Sequence, residues 1–296
     1  MITAAGIRQK QSLPLEAKII MAQERIRQWD LFTDGDMYVS FSGGKDSTVL
    51  LHLVRSIYPR TPAVFVNTGL EYPEIVRFVR QTENVTWIRP KMRFKDVIEK
   101  YGYPVISKEV SQWLSQIATT GSDKLRAKRL GQLSAKWRYM LDAPFKISNR
   151  CCDIMKKNPA HAYEKQTGQK PLIGTMACDS AFRQQSIMLH GCNAYGIANP
   201  HSRPLSMWTE GDIWEYLRTF NVPYSEIYDM GYTRTGCMFC MFGLHLEMRE
   251  NRGRFERMRH THPRLYHYCM DNLGLSKVME WYPQRGYVPQ ERIQFA

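Results

Sequence analysis

The stretch Ser42-Gly43-Gly44-Lys45-Asp46-Ser47 carries the first chemistry that can be read from this 296-residue chain. It stands between a short apolar run at residues 38–41 and an apolar helical pattern that continues to residue 54. A buried strand that breaks into a glycine turn and enters a helix presents unpaired backbone N–H groups where the helix dipole is positive. Such a turn binds anions. Gly43 and Gly44 let backbone approach a phosphate without a side chain in between. Lys45 adds charge, and Ser42 and Ser47 add hydroxyls. The spacing is neither that of a Walker A loop, with four residues between its first glycine and its Gly-Lys pair, nor that of a GxGxxG dinucleotide turn. The plainer alternative is a strand-to-helix turn with a capping serine.

A second set of candidates is made of thiols. Of seven cysteines, Cys151 and Cys152 are adjacent in "NRCCDIMKKNP", and Cys237 and Cys240 form a CxxC in "TGCMFCMFG". Two such pairs argue for metal chemistry rather than a disulfide framework, which an odd count in a reducing compartment does not suit. Four thiolates suit zinc or an iron–sulfur cluster, and spacing alone does not choose between them. Lys156 and Lys157 follow the first pair, where a basic residue offsets thiolate charge and would also face a nucleotide. Cys192 and Cys269 read as structural.

These groups need a scaffold. Apolar runs at 38–41, 63–66, 85–88 and 172–174 alternate with helical patterns, which predicts an α/β domain with a parallel sheet. Leu15, Ile19, Ala22, Ile26 and Trp29 predict a helix over 12–30, started by Ser12 and Pro14. Thr209 and Asp212 form a capping-box pair, followed by an apolar face of Ile213, Trp214, Leu217 and Phe220. Residues 107–150 read as a helical insertion or a basic loop, with six Lys or Arg between Lys124 and Arg138. Six arginines lie between Arg249 and Arg264, with Arg249, Arg252, Glu256 and Arg259 expected on one helix face. The expected division is 1–235 for the nucleotide domain and 236–296 for an arginine-rich helical extension.

Composition sets the outer limits. Hydrophobic residues make up 43% and charged residues 23%, as in a soluble globular protein. No apolar run approaches the roughly 18 residues needed to span a bilayer, and the N-terminal sequence lacks a signal-peptide core. A cytoplasmic location with no membrane partner is therefore expected. The net charge of +13 either favours polyanionic partners or makes a generally basic surface. The two basic segments move the expectation towards nucleic-acid contact.

The motifs resemble a known family. "SFSGGKDSTVLL" is similar to the PP-loop of the adenine nucleotide alpha hydrolase group, which includes N-type ATP pyrophosphatases and phosphoadenylyl-sulfate (PAPS) reductases. "FVNTGLEYPE" at 65–74 resembles that reductase family's segment after the second strand. "IGTMACDSAFRQQS" at 173–186 resembles its "GxRxxES…R" segment, and the block 199–237 resembles its "NPL…W…DVW…GY.SIGC" region. The resemblance covers roughly residues 36–240.

It implies a Rossmann-like parallel sheet of the adenine nucleotide alpha hydrolase type with a helical C-terminal extension. It implies an adenine nucleotide, ATP with Mg2+, held by Ser40, Ser42, Gly43, Gly44, Lys45, Asp46, Ser47, Asn67, Thr68, Gly69, Glu71 and Gly174. Lys45, Asp46 and Arg183 take the catalytic roles. The CC…CxxC arrangement matches the adenylyl-sulfate (APS) reductase branch and the DNA phosphorothioation ATP pyrophosphatases, which implies a 4Fe-4S cluster on Cys151, Cys152, Cys237 and Cys240, with zinc as the fallback. Cys178, in the segment that resembles a substrate-binding loop, is either a sulfur-carrying thiol or a buried, inert one.

Departures decide between members. No cysteine follows Cys269, where the reductases carry an "ECGLH" segment; Asn67 stands where Asp is frequent, Met176 where Arg is frequent and Asp179 where Glu is frequent. The expected activity is α–β cleavage of ATP in support of sulfur transfer to DNA or tRNA, with a cysteine desulfurase as sulfur donor. An APS or PAPS reductase is the first alternative, and a non-catalytic nucleotide or nucleic-acid binder is the second.

Overall fold

A computed structural model describes residues 2–249 and 253–281. The chain divides into two compact units. One comprises Met1–Asn67, Glu71–Arg89 and Pro159–Thr235; the other comprises Thr68–Leu70, Pro90–Asn158 and the chain from Gly236 onward. Among the described residues the strands are β1 (Met37–Ser40), β2 (Ala63–Val66), β3 (Val85–Ile88), β4 (Val105–Ile106), β5 (Lys170–Ile173), β6 (Asn193–Ala194), β7 (His201–Ser202) and β8 (Met241–Phe242).

The first unit is built on a six-stranded sheet in the order β3-β2-β1-β5-β7-β6. Its pairs are parallel except for β6 with β7. Strands flanked on both sides and covered on both faces read as continuous apolar runs, and Met37, Tyr38, Val39, Ala63, Val64 and Phe65 are all buried. The helix Lys45–Arg55 buries Val49, Leu50, Leu53 and Val54. Chain order runs outward from β1 to β2 and β3 on one side, and from β5 to β7 on the other. The carboxyl ends of β1 and β5 therefore form a switch point, the place where open α/β sheets take ligands.

The long N-terminal helix runs over Leu15–Thr33 rather than 12–30, because Pro14 caps it and Ser12 closes a preceding helix, Ala4–Gln11. Its buried face contains Lys18, whose ammonium lies 2.7 Å from Asp212 Oδ2 and 2.9 Å from Oδ1. The same Asp212 accepts from the Thr209 backbone N–H at 2.6 Å, closing the expected capping box of helix Glu210–Thr219. Ile213 and Leu217 are buried, whereas Phe220 is exposed and instead packs its ring on Tyr216 at 4.5 Å.

The second unit is mostly helical, with one parallel pair, β4 with β8. The insertion forms helices Lys108–Thr119 and Asp123–Gln132 and a 3-10 turn, Ala135–Asp142. Helix Asp123–Gln132 buries no residue, so its lysines and arginines stand on the surface. The arginine segment is not one helix. Arg249 ends helix Leu244–Arg249, Gly253 caps a new helix Arg254–Thr261 that carries Glu256 and Arg259, and Arg252 lies outside the described residues. A glycine cap resets the helical phase, so the expected common face is not formed. Among the described residues no helix is long and apolar enough to cross a membrane.

Candidate functional site

The glycine turn lies at the switch point of the first unit. Ser40 ends β1 in register with Val64 of β2 and Ile173 of β5. Gly43 takes a left-handed φ of +72°, and a methyl there would fall 2.7 Å from Val79 Cγ2 and 2.9 Å from Ile75 Cγ2. Gly174, just past β5, leaves equally little room: an added Cβ would sit 3.0 Å from the Asp46 carbonyl oxygen. Glycine is thus required on both sides of the turn, once for conformation and once for backbone approach.

Hydroxyls hold the turn's shape. Ser47 Oγ donates to the Gly44 carbonyl at 2.9 Å and accepts the Ser42 N–H at 3.2 Å. Ser42 Oγ lies 3.0 Å from Ser47 Oγ and accepts the Gly44 N–H at 3.3 Å. Lys45 is only 5% exposed, and its ammonium lies 3.3 Å from both Asp46 Oδ1 and Glu210 Oε1. Burial alone would lower the Lys45 pKa, but Asp46, Tyr228 and Glu210 carry it above the ordinary lysine value. Burial raises Asp46, an effect that Lys45 opposes and Asp179 and Glu210 reinforce. Asp46 Oδ1 is closed off from solvent and receives no hydrogen bond of normal geometry.

Arg183 pairs with Asp179 one helical turn away, and Asp179 also accepts the Met176 N–H at 2.9 Å. Asn67 follows β2 and donates its N–H to Ile88 at 2.9 Å; Glu71 belongs to the same unit and is half-buried. Cys178 is exposed rather than buried, and its thiol lies 3.5 Å from the Trp208 carbonyl. Partial burial, then Asp179, Asp46 and Glu210, push that thiol up, away from thiolate.

The second unit holds Thr68, Gly69 and the four paired cysteines. Thr68 Oγ1 accepts the Leu70 N–H at 3.2 Å, and the Leu70 carbonyl accepts the Met238 N–H at 2.8 Å, which ties this strip to the CxxC turn. The turn is closed by Cys240 N–H to the Cys237 carbonyl at 3.0 Å, and Arg254 clamps it from outside with 2.9 Å and 3.0 Å bonds to the carbonyls of Cys240 and Phe242. Cys151 and Cys152 begin a helix that widens into a π-turn at Asp153–Lys157. Cys151 donates to Cys152, which pushes Cys151 up and Cys152 down, and Lys108 and Lys156 also favour the Cys152 thiolate. Cys151 feels the charges of Cys240 and Cys237, so the four thiols share one electrostatic neighbourhood. Among the described residues no three His, Cys, Asp or Glu side chains are arranged around a single metal ion. The donor set, thiols beside lysines, fits an iron–sulfur cluster in its chemistry. Cys192 and Cys269 are buried.

Sequence reasoning did not find Tyr228, Thr235 and Glu210 as partners of the loop, nor Arg254 as the clamp on Cys240. Tyr228 and Glu210 lie in the block 199–237, but nothing in spacing told which of its polar residues return to the loop.

The phosphoadenosine phosphosulfate reductase domain model matches residues 36–242. This chain belongs to that family. It is therefore a member of a family of enzymes, with an α/β fold on a mostly parallel sheet. An uncharacterized protein of Methanocaldococcus jannaschii is 25% identical over 239 residues, 79% of this chain and 46% of the relative, so the chain spans less than half of that protein. The adenosine 5'-phosphosulfate reductase of Lysinibacillus sphaericus is 26% identical over 201 residues, 67% of this chain and 70% of the relative. Among solved structures, the PAPS reductase of Candida auris in its phosphate complex covers 80% of this family member and 96% of its own chain, at 16% identity and a TM-score of 0.45.

Proposed function

We propose that the chain binds ATP with Mg2+ at residues 42–47, cleaves its α–β bond and supports sulfur transfer to a nucleic acid, DNA or tRNA. The glycine turn at the sheet's switch point carries this reading: glycine on both sides, a buried lysine and a carboxylate oxygen shielded from water. Lys45 and the turn's N–H groups stabilise charge on the phosphates, and Asp46 is the candidate Mg2+ ligand. An acceptor oxygen attacks the α-phosphorus and pyrophosphate leaves; the terminal sulfur of a donor persulfide, such as that of a cysteine desulfurase, then displaces AMP, and a thiol reductant cleaves the remaining S–S bond and leaves as the disulfide.

Local charge supports ATP over a sulfate ester. Met176, where the family pattern has arginine, is 2% exposed and brings no charge, and Arg183 is already paired with Asp179. Asp46 and Glu210 lie beside Lys45, and Asp179 and Glu210 both act on Asp46, a balance that suits a metal-bound triphosphate. Cys151, Cys152, Cys237 and Cys240 would hold a 4Fe-4S cluster, or failing that zinc; a bound cluster would supply an electrophilic site for sulfur. The exposed basic helix Asp123–Gln132 supports the nucleic-acid acceptor. A cytoplasmic location is part of this reading.

The reductase relative supports a second reading, reduction of adenylyl-sulfate. Purified protein given ATP and Mg2+, with and without DNA or tRNA, separates the two. Pyrophosphate release stimulated by nucleic acid is expected. Sulfite release from adenylyl-sulfate with thioredoxin, and no pyrophosphate from ATP, would establish the reductase instead.

A further inference from the structure

Two anion-binding donors of the glycine turn, the Lys45 N–H and the Lys45 ammonium, are engaged by one neighbouring segment. The Lys45 N–H, among the first unpaired donors of helix Lys45–Arg55, donates to the Tyr228 hydroxyl at 2.7 Å. The Lys45 ammonium reaches the Thr233 carbonyl at 3.4 Å and lies 5.7 Å from the centre of the Tyr228 ring. Thr235 Oγ1 stands 3.1 Å from the Tyr228 hydroxyl and 2.7 Å from where a Cβ on Gly44 would be, directly against the turn. Residues 228–235 thus set a hydroxyl on the Lys45 N–H and a carbonyl on the Lys45 ammonium, the kinds of oxygen a phosphate would offer, with the Thr235 hydroxyl beside them.

Two tyrosines anchor the segment and an exposed stretch follows the second. Tyr228 is buried, and its ring meets Trp214 edge-on at 5.5 Å, which fixes the hydroxyl's aim. Beyond it, Gly231 has a left-handed φ of +83° with nothing within 4 Å of its missing side chain, Tyr232 is buried with its ring 4.8 Å from that of Tyr72, and Thr233 and Arg234 are exposed.

We infer that the segment 228–235 is a displaceable internal occupant of the phosphate seat, with the Tyr228 hydroxyl and Thr233 carbonyl standing in for two phosphate oxygens until a ligand displaces them. This rests on the reading of residues 42–47 as a phosphate loop, and goes beyond it by assigning the residues that compete with the ligand. No covalent step is involved: the Lys45 N–H and ammonium exchange oxygen partners within the chain for oxygens of the ligand. Removing the tyrosine hydroxyl removes one competing hydrogen bond while leaving the ring packed on Trp214.

Calorimetric titration of the full chain with inorganic pyrophosphate tests this in four forms: wild type, Tyr228→Phe, Thr235→Val and Lys45→Ala. Tyr228→Phe is expected to bind about five-fold more tightly than wild type, the worth of one net hydrogen bond. Thr235→Val is expected to shift the same way by less, and Lys45→Ala to lose binding. Backbone amide exchange at Lys45, read by NMR without ligand, is expected to be faster in Tyr228→Phe, which also reports that the fold persists. If Tyr228→Phe binds equally or more weakly while Lys45→Ala abolishes binding, this inference is overturned and the phosphate loop stands. If Lys45→Ala changes nothing, or no form binds pyrophosphate, the phosphate-loop reading fails and the inference falls with it.

Discussion

The glycine turn and the cysteine set are built by opposite means. The loop hangs from β1, which is hydrogen-bonded on both flanks, and its shape is held by Ser42, Ser47 and two close-packed glycines. The N–H groups of Ser42, Gly44 and Lys45 each have an oxygen partner within the same unit, so this geometry exists before any ligand arrives. The cysteines sit on a π-turn, a tight turn and an arginine clamp, with little sheet to support them. Of two adjacent thiols there, Cys151 is pushed up and Cys152 down, chiefly because Cys151 donates to Cys152. Backbone donors are neutral and can be pre-organised cheaply; crowded thiolates need the positive charge of a metal to hold them.

The largest test of this contrast lies beneath the loop. Lys18→Met leaves Asp212 buried without its partner, with side-chain exposures of 3% and 10% in the pair. It is expected to cost about 3–5 kcal/mol in urea unfolding. Next comes the loop itself. Gly43→Ala combines a left-handed φ with two short contacts and is expected to cost about 2–4 kcal/mol. Gly236→Ala, beside Cys237 with nothing within 4 Å, should stay within about 0.5 kcal/mol of wild type. Equal costs for the two glycines would erase the claim that one site is tightly built and the other loosely.

Cys240→Ser sharpens the other half. Anaerobically isolated wild type is expected to carry about four irons per chain and the variant almost none, read by iron analysis and visible absorbance. A wild-type protein with zinc and no iron would overturn the cluster assignment. The smallest effect belongs to the surface. Replacing Lys124 and Lys128 by Ala on helix Asp123–Gln132, which buries nothing, is expected to make the slope of log affinity for duplex DNA against log salt shallower by about one to two. An unchanged slope would return this helix to a plain solvated surface.

Much of this was legible in sequence. β2 falls on the expected residues because a central parallel strand is apolar throughout, and the edge strand β3 does so because three of its four residues are apolar. The glycine turn and the capping box at Thr209 and Asp212 were legible because each is a local pattern with a local cause. What stayed hidden was long-range. Asp212 reads as a cap, and nothing in the sequence pairs it with Lys18, 194 residues away. Tyr228 reads as one of many aromatics until its hydroxyl is found on Lys45, 183 residues away. The arginine face from 249 to 259 failed for a local reason that was visible: Gly253 interrupts it.

The central claim is that the loop is a self-sufficient nucleotide site, formed independently of the cysteines. ATP titration with Mg2+ by calorimetry, comparing wild type, Cys240→Ser and Lys45→Ala, tests it most directly. The account predicts that Cys240→Ser binds ATP within about two-fold of wild type, while Lys45→Ala, stripped of a buried charge beside Asp46 and Glu210, binds at least about ten-fold more weakly. ATP binding that survives Lys45→Ala and disappears in Cys240→Ser would contradict it.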